Sequence, residues 1–138
     1  MAGVLLNYGQ EWFLQLAFNG LYQSNLYLGL MTNTVNPLVS QNVGSGITEI
    51  TGDNYIRLLI TKITDWTVVN SVVTCVQKTF VVGLSGWNNV GGYFIATTGF
   101  GNDTAIIAEA FPLNRQGNKI FGQTIPIVPS YEQKDSTE

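Results

Sequence analysis

NLYLGLMTNTVNP, residues 25–37, is the stretch whose reading decides the fold. Leu26, Leu28 and Leu30 alternate with Tyr27, Gly29 and Met31, so a strand here is apolar on both faces. A half-buried strand alternates apolar with polar residues, whereas one that is apolar on both sides is covered on both sides. The face carrying Leu26, Leu28 and Leu30 is expected in the core. The face carrying Tyr27 and Met31 is expected under a helix or at a subunit interface, with Gly29 permitting close approach. The strand then enters a polar loop at Thr32-Asn33, which turns at Asn36-Pro37 and is expected to reach a partner.

Upstream, residues 4–19 read as the single helix. Asn7, Glu11, Gln15 and Asn19 stand four apart and form one polar row, while Leu5, Leu6, Tyr8, Trp12, Phe13, Leu14, Leu16 and Phe18 surround it. Such a helix is expected to bury most of its circumference, beyond the stripe of an ordinary surface helix. Gly20 supplies a left-handed stop, and Gly9 weakens the helix from within. Downstream, strands are expected at 25–32, 54–63, 66–69, 72–82, 91–97, 104–111 and 118–128, separated by segments rich in Gly, Asn, Asp, Pro and Ser. Short strands without intervening helices predict a mainly β chain: an antiparallel, jelly-roll-like β-sandwich with one N-terminal helix. Residues 1–131 form one domain in this reading. Its long irregular segment, 33–52, has the length of a functional loop. The polar tail from 132 to 138 is expected to be mobile.

The chain of 138 residues is 45% apolar but only 11% charged. That is less than half the usual charged share, so part of the surface is expected to be covered by partners. Net charge is −3, and the basic residues Arg57, Lys62, Lys78, Arg115, Lys119 and Lys134 are scattered. Nucleic-acid binding calls for a basic stripe, and none is visible. No apolar run is long enough to span a membrane, and no signal peptide is apparent, so synthesis is expected in the cytoplasm. Cys75 lies in an apolar run and reads as a small core residue.

The chain contains no histidine, which removes the commonest general base and the commonest metal ligand. No G-x-S-x-G or phosphate-loop motif occurs. Glu49 with Asp53, or Asp103 with Glu109, could converge as paired carboxylates, but Asp53 and Asp103 lie in turn sequences, where short acceptors cap backbone amides. Asn102-Asp103-Thr104 matches a glycosylation acceptor and reads better as a turn into a strand. The expectation is a protein with no enzymatic activity, cofactor or metal. Trp87 in the loop-like SGWNN, with Asn88 and Tyr93, offers stacking and hydrogen-bonding groups for a glycan.

Four elements follow one another in a distinctive order. They are an apolar helix ending at Gly20, LYLGLMTNTVNP, WNNVGGYFIAT, and AIIAEAFPL followed by GNKIFGQTIPIVP. In that order the chain resembles small virion proteins of tailed bacteriophages, of the capsid decoration or cement type. It departs from their pattern at Leu30-Met31 and at Ala110, where a basic residue is usual beside Glu109. The resemblance implies a protein synthesised in the host cytoplasm that binds the outer capsid surface. There it would bridge major capsid protein subunits as a homo-oligomer, with a trimer favoured. Trp12, Phe13, Tyr27, Met31, Pro37 and Leu38 are the expected contacts. A tail or baseplate adaptor is the nearest alternative, and a receptor or carbohydrate-binding module using Trp87, Asn88 and Tyr93 is another.

Overall fold

The computed structural model describes residues 3–18, 25–61, 64–70 and 72–132. In chain order the elements are β1 (Val4–Leu5), α1 (Asn7–Phe18), β2 (Asn25–Met31), β3 (Asn42–Val43), β4 (Gly46–Ile47) and β5 (Leu58–Thr61). Then follow β6 (Trp66–Val69), β7 (Val72–Cys75), β8 (Lys78–Val81), β9 (Trp87–Val90), β10 (Gly92–Ala96) and β11 (Ala105–Ala110). After a 3-10 turn at Leu113–Arg115 come β12 (Gly117–Lys119), β13 (Thr124–Ile127) and β14 (Ser130–Glu132). The chain is therefore mainly β with one N-terminal helix. Asn19, Gly20, the end of the 54–63 strand and the tail beyond Glu132 lie outside the described residues.

Five strands make the principal sheet, in the order β1-β11-β10-β2-β5. Antiparallel registers Tyr93↔Leu30 and Phe94↔Gly29 put β2 in its interior. Facing it is a long twisted ribbon in which β7, β8 and β9 run against β14, β13 and β12. The strands expected at 72–82 and 118–128 are both present, but each is interrupted. One extra residue at Val76–Gln77 shifts the register between Ser130↔Thr74 and Ile127↔Lys78. Turns at 82–86 and 120–123 then separate β8 from β9 and β12 from β13. Interruptions of this kind increase local twist, which lets a long ribbon follow a twisted sheet. β6 joins by a hairpin whose Asn70 takes the left-handed conformation, with φ of 50°.

The core between the layers contains Leu28, Leu30, Ile60, Tyr93 and Ile95 from the sheet. From the ribbon come Phe80, Val82, Trp87, Val90, Ile125 and Ile127. Each fully buried Leu, Ile or Phe side chain contributes roughly 1.5–3 kcal/mol. The sheet's opposite face carries Met31, Phe94, Ala96, Ala105 and Ala108. Leu6 covers it together with Val43 and Ile47, two residues of the segment expected to reach outward.

That segment is tied down by side-chain amides. Asn33 donates to the Gly46 carbonyl at 2.7 Å and accepts from the Thr48 N–H at 3.0 Å. Asn42, itself buried, makes both a donor and an acceptor bond to the Ala105 backbone, at 3.0 and 2.9 Å. Residues 33–52 are thus largely a covering layer. The second apolar face of β2 packs beneath this layer and Leu6, which corrects the expectation of a helix or a neighbouring subunit.

The helix begins at Asn7, three residues later than its composition predicts, because Val4 and Leu5 pair with β11. The Leu6 and Asn7 N–H groups donate to the Ile106 and Val39 carbonyls. Gly9 has a packing reason: a Cβ there would collide with the Ile106 carbonyl oxygen, so glycine lets α1 lie against β11. Gly29 has the same role on β2, where the Phe94 ring occupies the space of its missing side chain.

Candidate functional site

The residues singled out from the sequence divide by burial. Phe13 and Leu38 are exposed, while Trp12 and Tyr27 are half-buried. Met31 and Pro37 are buried within the chain, so neither offers a contact surface; Met31 sits under the covering segment. The glycan reading loses both of its rings. Trp87 is 1% exposed, donates its indole N–H to the Asp53 carbonyl at 2.8 Å, and meets Tyr55 and Phe80 edge-on. Tyr93 is buried as well, leaving only Asn88 accessible. SGWNN resembles a loop because Gly86 and Asn89 both take positive φ, but Trp87 between them starts β9 and fills the core.

The carboxylates are drawn into separate structural bonds. Asp53 accepts from the Leu84 N–H at 2.8 Å. Asp65 accepts from Lys78 at 2.9 Å, and this partner together with the Thr61 N–H holds its carboxyl below the usual range. Asp103 takes a left-handed turn conformation, φ 55°, at the entry to β11. Among the described residues no group of three or more Cys, Asp or Glu gathers into a metal cluster. Burial pushes the Cys75 thiol up to about 11, which keeps it an inert neutral thiol at physiological pH.

Two tyrosine–glutamate pairs, one half-buried and one buried, dominate the polar interior. In the first, the Tyr55 hydroxyl donates to Glu49 at 2.6 Å and accepts from the Leu30 N–H at 2.9 Å. Arg57, buried beside them, grips the Glu49 carboxylate side-on through Nε and Nη2, both at 2.8 Å. Its other donors reach the Thr98 and Gly101 carbonyls and the Thr104 hydroxyl. All five guanidinium N–H groups are thereby satisfied. The guanidinium also lies over the Phe94 ring, 5.0 Å from its centroid. This network locks the 49–57 turn and the 98–104 loop to the sheet, so its role is structural.

In the second pair, the Tyr93 hydroxyl donates to Glu109 at 2.8 Å, and no arginine completes it. Burial raises the pKa of Tyr93 and of Glu109 alike. A cavity of about 390 Å³ opens on this pair, walled by Asn36, Ala110, Phe111, Pro112, Arg115, Ile127 and Val128.

An exposed apolar groove lies at the edge of the principal sheet. Ile56, Val81 and Phe121 line a groove of about 360 Å³ between the approach to β5 and strand β8. All three are more than half exposed, as are Leu84 and Ile120 in the adjoining turns. Among the described residues β5 is the edge of the principal sheet and β8 pairs with β13 alone. Strand edges are ordinarily protected by outward charges, proline or bulges. Here Arg57 is turned inward and Lys78 is held by Asp65, so the groove is lined by aliphatic and aromatic groups with little charge. Burial on contact suits such a surface, and composition alone did not reveal it because its residues come from three separate segments. A smaller cavity of about 200 Å³ lies under α1, bordered by Trp12, Phe13, Leu26, Trp66, Ile106 and Tyr131. No helix among the described residues is long and apolar enough to cross a membrane.

No protein-family model matches this chain, and no curated protein matches its sequence.

Proposed function

We propose that the protein is a structural subunit that binds other protein chains by burying its apolar edge surface. Its proposed setting is the outer surface of a tailed-bacteriophage capsid, where it cements major capsid subunits without covalent bonds. The carrying observation is the cluster of Ile56, Val81, Leu84, Ile120 and Phe121 around two unprotected strand edges. The low charged fraction supports the same reading, and the resemblance of LYLGLMTNTVNP and its companion segments supplies the capsid setting. Burial contributes roughly 25 cal/mol per Å² of apolar surface, so a contact of ordinary strength repeated around a shell resists internal pressure. A closed homo-oligomer, with a trimer favoured, would hide one such patch on every subunit.

Mass spectrometry of purified virions with imaging of their shells tests the setting. The expected result is many copies on the capsid exterior; absence from the capsid overturns it, and a handful of copies in a ring favours a tail or baseplate adaptor. The double change Ile56→Ser and Phe121→Ser tests the surface. Unfolding free energy is expected to move by no more than about 0.5 kcal/mol per exposed site, while shell binding is lost. Undiminished shell binding by the folded variant would remove the edge surface from the proposal.

A further inference from the structure

The seam between β5 and β8 is pinned at both ends and bare between them. At one end the Leu84 N–H donates to the Asp53 carboxylate and the Trp87 indole N–H to the Asp53 carbonyl, each at 2.8 Å. At the other end Asp65 holds Lys78 at 2.9 Å, and its carbonyl accepts from the Val76 N–H at 2.8 Å. Among the described residues no backbone hydrogen bond crosses the stretch between these ties. The opposite edge of the principal sheet is closed: β1 is two residues long, and the neighbouring Gly3 N–H donates to the Ser130 carbonyl of β14 at 3.1 Å.

Pairing parity decides which backbone groups the seam presents. Residues along an antiparallel strand turn their N–H and C=O alternately to one side and the other. The Leu30 N–H donates to the Tyr55 hydroxyl and the Leu30 carbonyl accepts from the Ile50 N–H, both on the β5 side of β2. Leu28 and Leu26 share that parity and bond their partners Leu58 and Ile60. Arg57, Leu59 and Thr61 therefore turn their backbone groups outward. Asp65 takes both groups of Thr61, its carboxylate accepting from the N–H at 2.7 Å and its own N–H donating to the carbonyl at 3.2 Å. Leu59, half exposed, is left facing the seam. On β8 the Val82 N–H donates to the Gln123 carbonyl on the β13 side, which turns Thr79 and Val81 to the seam.

Outward N–H and C=O groups at strand spacing are matched by another extended backbone. A helix has its backbone groups bonded internally, and a hydrocarbon would leave the row unmet. The side walls add a second requirement. Ile56, Val81 and Phe121 are apolar and no charged side chain lines the groove among the described residues, so a charge entering it would lose its water without compensation. The ties at Asp53 and Asp65 set the gap before anything enters, which keeps the ordering cost of docking low.

We propose that the seam accepts an extended, uncharged segment of a neighbouring protein subunit as an added strand, bonded to the Leu59 N–H and C=O with alternate apolar side chains on Ile56 and Phe121. That the donor is a neighbouring subunit rests on the assembly reading; the pairing with an extended backbone does not.

Amide-detected NMR of the intact protein, titrated with the acetylated and amidated pentapeptide Thr-Val-Thr-Val-Thr, tests the pairing. Saturable shifts and slowed amide exchange are expected at Leu59. Affinity should fall about tenfold or more for the fully N-methylated peptide, the scale of two neutral hydrogen bonds. In the assembly, Leu59→Pro removes an N–H on a free edge, where a strand tolerates proline, and is expected to abolish shell binding, while Leu59→Val keeps it. If the proline variant does not fold, the peptide titration of the wild type decides. No saturable shift at Leu59, or equal binding of the N-methylated peptide, overturns the inference. Shell binding kept by Leu59→Pro but lost in the Ile56→Ser, Phe121→Ser pair also overturns it and leaves the edge surface as the assembly contact. Peptide pairing by a protein absent from virions does the reverse, removing the capsid setting alone.

Discussion

Glu49 and Glu109 both accept a hydrogen bond from a tyrosine, yet one is held by an arginine and the other faces a cavity. Glu49 has Arg57 on both oxygens, and Arg57 in turn uses every donor it has. Glu109 accepts a hydrogen bond from Tyr93 and has an open cavity beside it. The difference teaches that a buried charge is structural when its own chain completes it.

The largest effect should come from breaking the closed pair. Arg57→Met strands the Glu49 carboxylate and is expected to cost about 3–5 kcal/mol in urea unfolding. Arg57→Lys should recover little of this, because an ammonium cannot reproduce the side-on grip. A loss below about 1 kcal/mol would show that Glu49 needs no partner and would erase the contrast. Next come the tyrosines. Tyr55→Phe leaves the Leu30 N–H in the sheet interior without its acceptor and should cost about 1–3 kcal/mol. Tyr93→Phe should cost less, since its hydroxyl takes only a long 3.4 Å bond from the Ser130 N–H. Equal losses would place the two pairs in one class.

Glu109→Gln should have the smallest effect, about 1 kcal/mol or less near neutral pH, and in the stabilising direction if it departs from zero. The pH dependence sharpens this. Burial raises the folded-state pKa of Glu109 above its ordinary 4.5. Its favourable contribution is therefore fully present below that value and is lost as pH rises through the folded-state pKa. Glutamine does not titrate, so the variant should gain on the wild type as pH rises across that window. Parallel stability curves for the two proteins would mean that Glu109 is compensated by a cation already present.

Much of the fold was legible because alternation and turn chemistry are local. The 25–32, 66–69, 91–97 and 104–111 strands emerged from patterns spanning a few residues. The SGWNN segment was misread for the same reason: Gly86, Asn88 and Asn89 are turn formers, and nothing adjacent reveals that Trp87 meets Tyr55 and Phe80. In the 33–52 segment, Val43, Ile47 and Ile50 stand four and three apart, a helical spacing in a stretch where Gly44 and Gly46 take positive φ and no helix forms, so the periodicity did not reveal how they are buried. Arg57 did offer a clue, a lone charge entering an apolar strand in a chain with little charge. Its match to Glu49 still depends on a turn that brings residues eight apart face to face.

By itself, then, the sequence determined a β-rich chain with one N-terminal helix, a strand covered on both faces, and a surface short of charge. These follow from side-chain periodicity and composition, which act over a few residues or over the chain as a whole. Tertiary structure decided what covers that strand, which aromatics are core, and where the exposed apolar groups meet. It also decided which glutamate has an arginine and which has an open cavity. Those outcomes depend on contacts between distant segments, and such contacts exist only once the layers have packed.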